Sequence, residues 1–101
     1  GDAALVAEGE KLMARYACSS CHSSDGSRLV GPTFKGLYGS SVTVLVDGKE
    51  RTVRADEAYL ERSIREPNAE IVKGYQPLMP GQPNLTAEEL KAMIAYIRSL
   101  K

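Results

Sequence analysis

A chain of 101 residues makes one small domain, and with no tryptophan and a single phenylalanine it has little aromatic volume from which to build a core. Thirteen basic and thirteen acidic side chains cancel, which removes the electrostatic footprint of a nucleic-acid binder and the polybasic signal for an anionic membrane. No run reaches the ~18 apolar residues of a membrane span, and Gly1-Asp2-Ala3-Ala4 lacks the charged and apolar regions of a secretory signal, so either a removed leader or further domains are expected to precede it.

Leu5, Gly9, Leu12, Met13 and Tyr16 follow an i, i+3, i+4, i+7 pattern and predict an amphipathic helix over 3–17 that delivers the chain into Cys18. There the sequence reads Cys18-Ser19-Ser20-Cys21-His22. A structural zinc site needs four ligands, and His22 is the sole histidine beside only two cysteines. A redox dithiol needs a strand just before its first cysteine, where this chain reads as helix. A disulfide between Cys18 and Cys21 would close too short a loop to stabilise much. Haem attachment is the better reading: thiols at this spacing reach the two vinyl groups of one porphyrin, and the adjacent imidazole reaches its iron. The apolar area of one covalently bound haem would also complete a core this small.

Ser23 to Ser27 is a polar, turn-forming cluster without periodicity, and with Gly31-Pro32 it predicts a loop. Residues 42–46 and 49–53 flank Asp47-Gly48, the dipeptide suited to a two-residue hairpin turn. Asp56 can cap a short helix over 57–66, stopped by Pro67, with Leu60 and Ile64 on one face. Thr86 and Glu89 form a capping box, and Leu90, Met93, Ile94, Ile97 and Leu100 make the apolar stripe of a helix running to the end of the chain. A mostly α fold follows, with helices packed around the haem and one small inserted β-hairpin.

A haem held by His22 needs a sixth ligand, and three methionines offer one. Met13 and Met93 sit on helical stripes, where methionine is ordinarily a core filler. Met79 lies in Gly74-Tyr75-Gln76-Pro77-Leu78-Met79-Pro80-Gly81, too irregular for helix or strand, and its thioether is the better candidate. With both axial positions filled, the iron has no site for oxygen or peroxide. Such a centre carries single electrons at a raised potential, and does not catalyse.

The order of helix, Cys-x-x-Cys-His, Gly31-Pro32, methionine loop and a last helix containing Ala95-Tyr96-Ile97 resembles the class I monohaem cytochromes c over essentially the whole chain. That resemblance implies a hydrogen bond from His22 to the Pro32 carbonyl, and packing of Gly9 and Met13 against Ile94, Tyr96 and Ile97. It also places Phe34 and Tyr75 against the haem. The phrases 31–39, 55–60, 66–69 and 74–75 are more narrowly similar to the cytochrome c domain at the C-terminal end of subunit II in caa-type haem-copper oxidases. The narrower resemblance implies an excised, monomeric domain on the outer, periplasmic face of the membrane, attached only through its parent subunit. It would take electrons from a donor protein and pass them to the dinuclear copper centre beside the catalytic subunit. A free periplasmic shuttle is the alternative. Ser40 stands where many relatives of the class have a propionate-pairing arginine, which leaves Lys73, Tyr75 or Arg65 as candidates for that role. Val30, Phe34 and Leu78 are candidates for an apolar docking patch at the haem edge.

Overall fold

In the computed structural model, which describes residues 2–82 and 84–101, the first helix, α1, spans Asp2–Arg15. Asp2 in its first turn and Arg15 in its last complement the helix dipole. The helix stops sooner than its apolar pattern suggests, because Ala17 adopts a left-handed backbone with φ 62°. A residue with a Cβ takes that conformation at a cost of about 1–2 kcal/mol. The bend throws the chain out of α1 and into a single 3₁₀ turn, Cys18–Ser20.

The last helix, α3, spans Ala87–Ser99 and closes on α1. Its start is the predicted capping box: the Glu89 N–H donates to Thr86 Oγ1 at 3.1 Å, and the Thr86 N–H donates back to Glu89 Oε1 at 3.0 Å. The helices approach where α1 has no side chain, since a Cβ at Gly9 would run into the Ala92 carbonyl and lie 2.8 Å from Tyr96 Cβ. Leu12 and Met13 of α1 and Leu90, Met93 and Ile97 of α3 are buried together in the core.

Between these helices lies the hairpin, β1 (Ser41–Val46) and β2 (Lys49–Arg54), paired in register from Ser41 with Arg54 to Val46 with Lys49. Both residues of its turn have positive φ, 51° at Asp47 and 79° at Gly48, which matches the twist of the strands. Alternation on β1 buries Val42 and Val44. The hairpin does not stand alone. A two-residue strand, β3 (Ile71–Val72), pairs antiparallel with the other edge of β1 through Leu45 with Ile71 and Val44 with Val72, giving the order β2-β1-β3.

The short helix α2 (Glu57–Arg65) is capped by Asp56, whose carboxylate accepts from the Tyr59 N–H at 2.8 Å. It buries Tyr59, Leu60 and Ile64. Three helices and a small three-stranded antiparallel sheet are compatible with the mostly α fold expected from the sequence, with one strand more than the hairpin supplied.

Candidate functional site

The loop after the 3₁₀ turn folds back past His22. The Gly31 N–H donates to the Cys21 carbonyl at 2.8 Å, and the Phe34 N–H to the Ser23 carbonyl at 2.8 Å. The polar cluster 23–27 is held by its own side chains: the buried Ser23 hydroxyl donates to the Ser27 carbonyl at 2.6 Å and also meets Thr33 Oγ1 at 2.8 Å. Gly31 has to be glycine for a local reason, because a Cβ there would penetrate the imidazole and lie 2.7 Å from its Nδ1.

His22 is consequently fixed on several sides. Its Nδ1 lies 2.7 Å from the Pro32 carbonyl oxygen. A carbonyl only accepts, so Nδ1 carries the hydrogen and Nε2 keeps its lone pair. Phe34 stacks on the ring with centroids 4.7 Å apart and an interplanar angle of 11°. Burial lowers the His22 pKa, against the opposing pull of the Pro32 bond, and so favours the neutral, ligating form.

One apolar cavity gathers the residues singled out in the sequence. Cys18, Cys21, His22, Pro32, Phe34, Tyr75 and Met79 all line it. Met13, Leu60, Ile64 and Ile97 supply core walls that exclude water. The two thiols are free, and burial pushes that of Cys18 up. Met79 is partly buried and packs against the core, while Met13 and Met93 are fully buried among core side chains.

A further observation fits the cavity to a large apolar group with polar edges. Ser63 Oγ, one turn beyond Tyr59 on α2, is buried against the cavity with the Tyr59 hydroxyl beside it but no well-aligned hydrogen bond. Burying such a hydroxyl costs about 1–3 kcal/mol unless a partner is supplied. An amphiphilic ring system with acceptor groups at its rim satisfies the apolar walls and the hydroxyl together. Two free thiols and a neutral imidazole suit the same group.

Other expected residues are placed differently. Phe34 is only 7% exposed and belongs to the inner wall, not to a docking patch, whereas Val30 and Leu78 are 53% and 64% exposed. Lys73 is taken up by Glu50 at 2.6 Å. Arg65 reaches the Leu85 carbonyl at 3.1 Å and Glu61 at 3.9 Å. Ser40 closes a turn by donating to the Leu37 carbonyl at 2.6 Å. Ser63 was not singled out in the sequence, although its i+4 spacing from Tyr59, one position off the Leu60 and Ile64 stripe, was readable.

The model of the family described as Cytochrome c matches residues 6–101. The chain is also similar to the cytochrome c oxidase subunit 2 of Alkalihalophilus pseudofirmus, with 29% identity over 98 residues and 96% of this chain covered. It spans about a quarter (26%) of the length of that relative.

Proposed function

Because the chain belongs to the cytochrome c family, whose cofactor is a covalently attached c-type haem, we propose that it transfers single electrons through one haem bonded to Cys18 and Cys21, with His22 and Met79 as axial ligands. The observation that carries this reading is the convergence of both thiols, the Pro32-bonded imidazole and the Met79 thioether on one apolar cavity. The haem supplies a reversible one-electron change at iron.

Each residue has a distinct task toward that group. The Cys18 and Cys21 thiols hold it covalently. His22 presents the lone pair of Nε2, and the Pro32 bond raises the donor strength of the ring by polarising Nδ1–H. Phe34 prevents the ring from turning. Met79 offers a soft thioether that favours the ferrous state and denies outside molecules a coordination position. Leu60, Ile64 and Ile97 keep water from the centre.

We place this electron carrier beside a haem-copper oxidase, on the extracytoplasmic face of its membrane, receiving electrons from a redox protein and giving them to a dinuclear copper centre. The similarity to an oxidase subunit 2 over nearly the whole chain supports that setting. Among the described residues no helix is long and apolar enough to cross a membrane; in this reading attachment is through a parent subunit. The chain itself transfers electrons, and oxygen chemistry belongs to another subunit.

The test is an optical spectrum of the oxidised and dithionite-reduced protein, extended into the near infrared, for wild type and Met79→Ala. A low-spin c-type spectrum with a thioether-to-ferric charge-transfer band that vanishes in the variant is expected. A high-spin wild-type spectrum, or a band that survives the substitution, removes Met79 from the ligand set.

A further inference from the structure

Arg28 leaves the loop that follows His22 and crosses to the loop that carries Met79. Its Nη2 donates to the Gly74 carbonyl at 2.9 Å, and its guanidinium carbon lies 4.2 Å from the centroid of the Tyr75 ring. Gly74 has φ 90°, a conformation that aims its carbonyl and is open to glycine without a steric penalty. Tyr75, the next residue, lines the cavity together with Met79. One side chain therefore grips two consecutive residues, the first by its backbone and the second by its ring face. Only a planar guanidinium does both at once; a lysine ammonium is a point charge without the fork.

The rest of the Met79 loop is sparsely tied. Before it, the Lys73 N–H donates to the Thr43 carbonyl at 2.9 Å. The Lys73–Glu50 pair is exposed on both sides and adds little. After it, the Gln82 N–H donates to the Ile64 carbonyl at 3.1 Å. The Tyr75 N–H donates to the Val72 carbonyl at the end of β3 at 3.1 Å; among the described residues no backbone hydrogen bond from another element reaches positions 76–81, and the Leu78 N–H to Gln76 carbonyl bond is local. The turn bond at Tyr75 leads back into β3, whereas the grip of Arg28 on Gly74 and Tyr75 is the tie that joins the N-terminal side of the Met79 loop to the His22 loop.

We propose that Arg28 is a positioning residue: by clasping Gly74 and Tyr75 it holds the Met79 loop closed over the cavity and keeps Met79 on the iron. The proposal rests on Met79 being the axial ligand. It concerns how readily that ligand leaves. When a small nitrogenous base such as imidazole displaces Met79, an iron–sulfur bond breaks, an iron–nitrogen bond forms and the iron remains ferric, so the limiting rate at saturating base reports departure of the thioether together with the loop opening it needs.

The experiment mixes ferric holoprotein with saturating imidazole and follows loss of the near-infrared thioether band in wild type, Arg28→Ala, Arg28→Lys and Tyr75→Leu. Removing a charged hydrogen bond and an exposed cation–π contact is expected to speed the limiting step roughly tenfold in Arg28→Ala. Arg28→Lys should fall between it and wild type, and Tyr75→Leu combined with Arg28→Ala should accelerate by less than the product of the separate fold-changes, because the two residues form one clasp. Glu89→Gln, which weakens the start of α3 and its bond to Tyr16 away from both loops, is the control for general loosening. An Arg28→Ala rate equal to wild type, or an acceleration no greater than that of Glu89→Gln, overturns the clasp while leaving Met79 as ligand. If Arg28→Ala does not accumulate, the same comparison is made with Arg28→Lys and Tyr75→Leu, and unchanged rates in both overturn it. A wild-type protein without the band defeats the ligand assignment itself, and the clasp with it.

Discussion

Phe34 lies parallel to the His22 imidazole, 4.7 Å away between centroids, and is buried behind it. The single phenylalanine of the chain is thus spent on orienting the single histidine. Phe34→Ala should lower stability by about 3–5 kcal/mol, as expected for an emptied aromatic site. Phe34→Leu keeps bulk and loses the parallel ring contact, so its cost should be nearer 1 kcal/mol. Guanidinium unfolding of the haem-loaded proteins measures both, and equal losses would show that the ring contact contributes nothing beyond volume.

Gly9→Ala sets helix propensity against packing. Alanine is favoured over glycine in a helix by about 1 kcal/mol. Against this, the new methyl meets the Ala92 carbonyl backbone and Tyr96 Cβ at 2.8 Å, which forces α1 and α3 apart. Overpacking against backbone costs about 1–3 kcal/mol or more, so a fall in Tm is expected. A rise in Tm would mean that the helices separate without loss.

Acid should loosen the junction of the same two helices. The Thr86 N–H, and after it the Tyr16 hydroxyl donating to Oε2 at 2.9 Å, hold the Glu89 carboxyl below its ordinary value. The folded value is therefore below the unfolded one, about 4.3. The associated stability is complete above the unfolded value and is lost as pH falls through the folded one. Thermal melts between about pH 6 and about pH 3 should show a steeper decline for wild type than for Glu89→Gln, which has no carboxylate to protonate. Parallel curves would remove Glu89 from the acid response.

Asp56→Ala removes the acceptor for the Tyr59 N–H at the start of α2. The expected loss is about 1 kcal/mol, and Asp56→Ser, another good cap, should recover most of it. Chemical denaturation distinguishes the three proteins. No difference between Ala and Ser would assign the cap bond no energetic role.

Most elements were legible because their signals are local. The Asp47-Gly48 turn, the Asp56 cap and the Thr86–Glu89 box each depend on residues within a few positions, and each forms where the sequence puts it. β3 was not legible: two residues, Ile71 and Val72, are too few to show a period, and only the open edge of β1 makes them a strand. The end of α1 was misjudged because apolar periodicity continues to Tyr16, while the left-handed turn at Ala17 comes from how the chain must leave the helix. At the cavity, the cysteines, His22 and Met79 stood out by motif and by isolation. Arg28 did not, since its partners at Gly74 and Tyr75 are 46 and 47 positions away and nothing local marks them. Phe34 was read both against the haem and as part of a docking patch, and burial in the core behind the imidazole favours the first.

The seam between α1 and α3 sets an order in time. Gly9 meets Ala92 and Tyr96, Tyr16 meets Glu89, and the cavity wall combines Met13 with Ile97. A ribosome delivers the first member of each pair some seventy or more positions before the second, as the 73-residue separation of Tyr16 and Glu89 illustrates. Contacts so remote in sequence cannot help a partial chain. During synthesis the wall that α3 contributes behind Cys18 and Cys21 is thus missing until α3 has been made, and the chamber begun by α1 is closed only when that helix arrives.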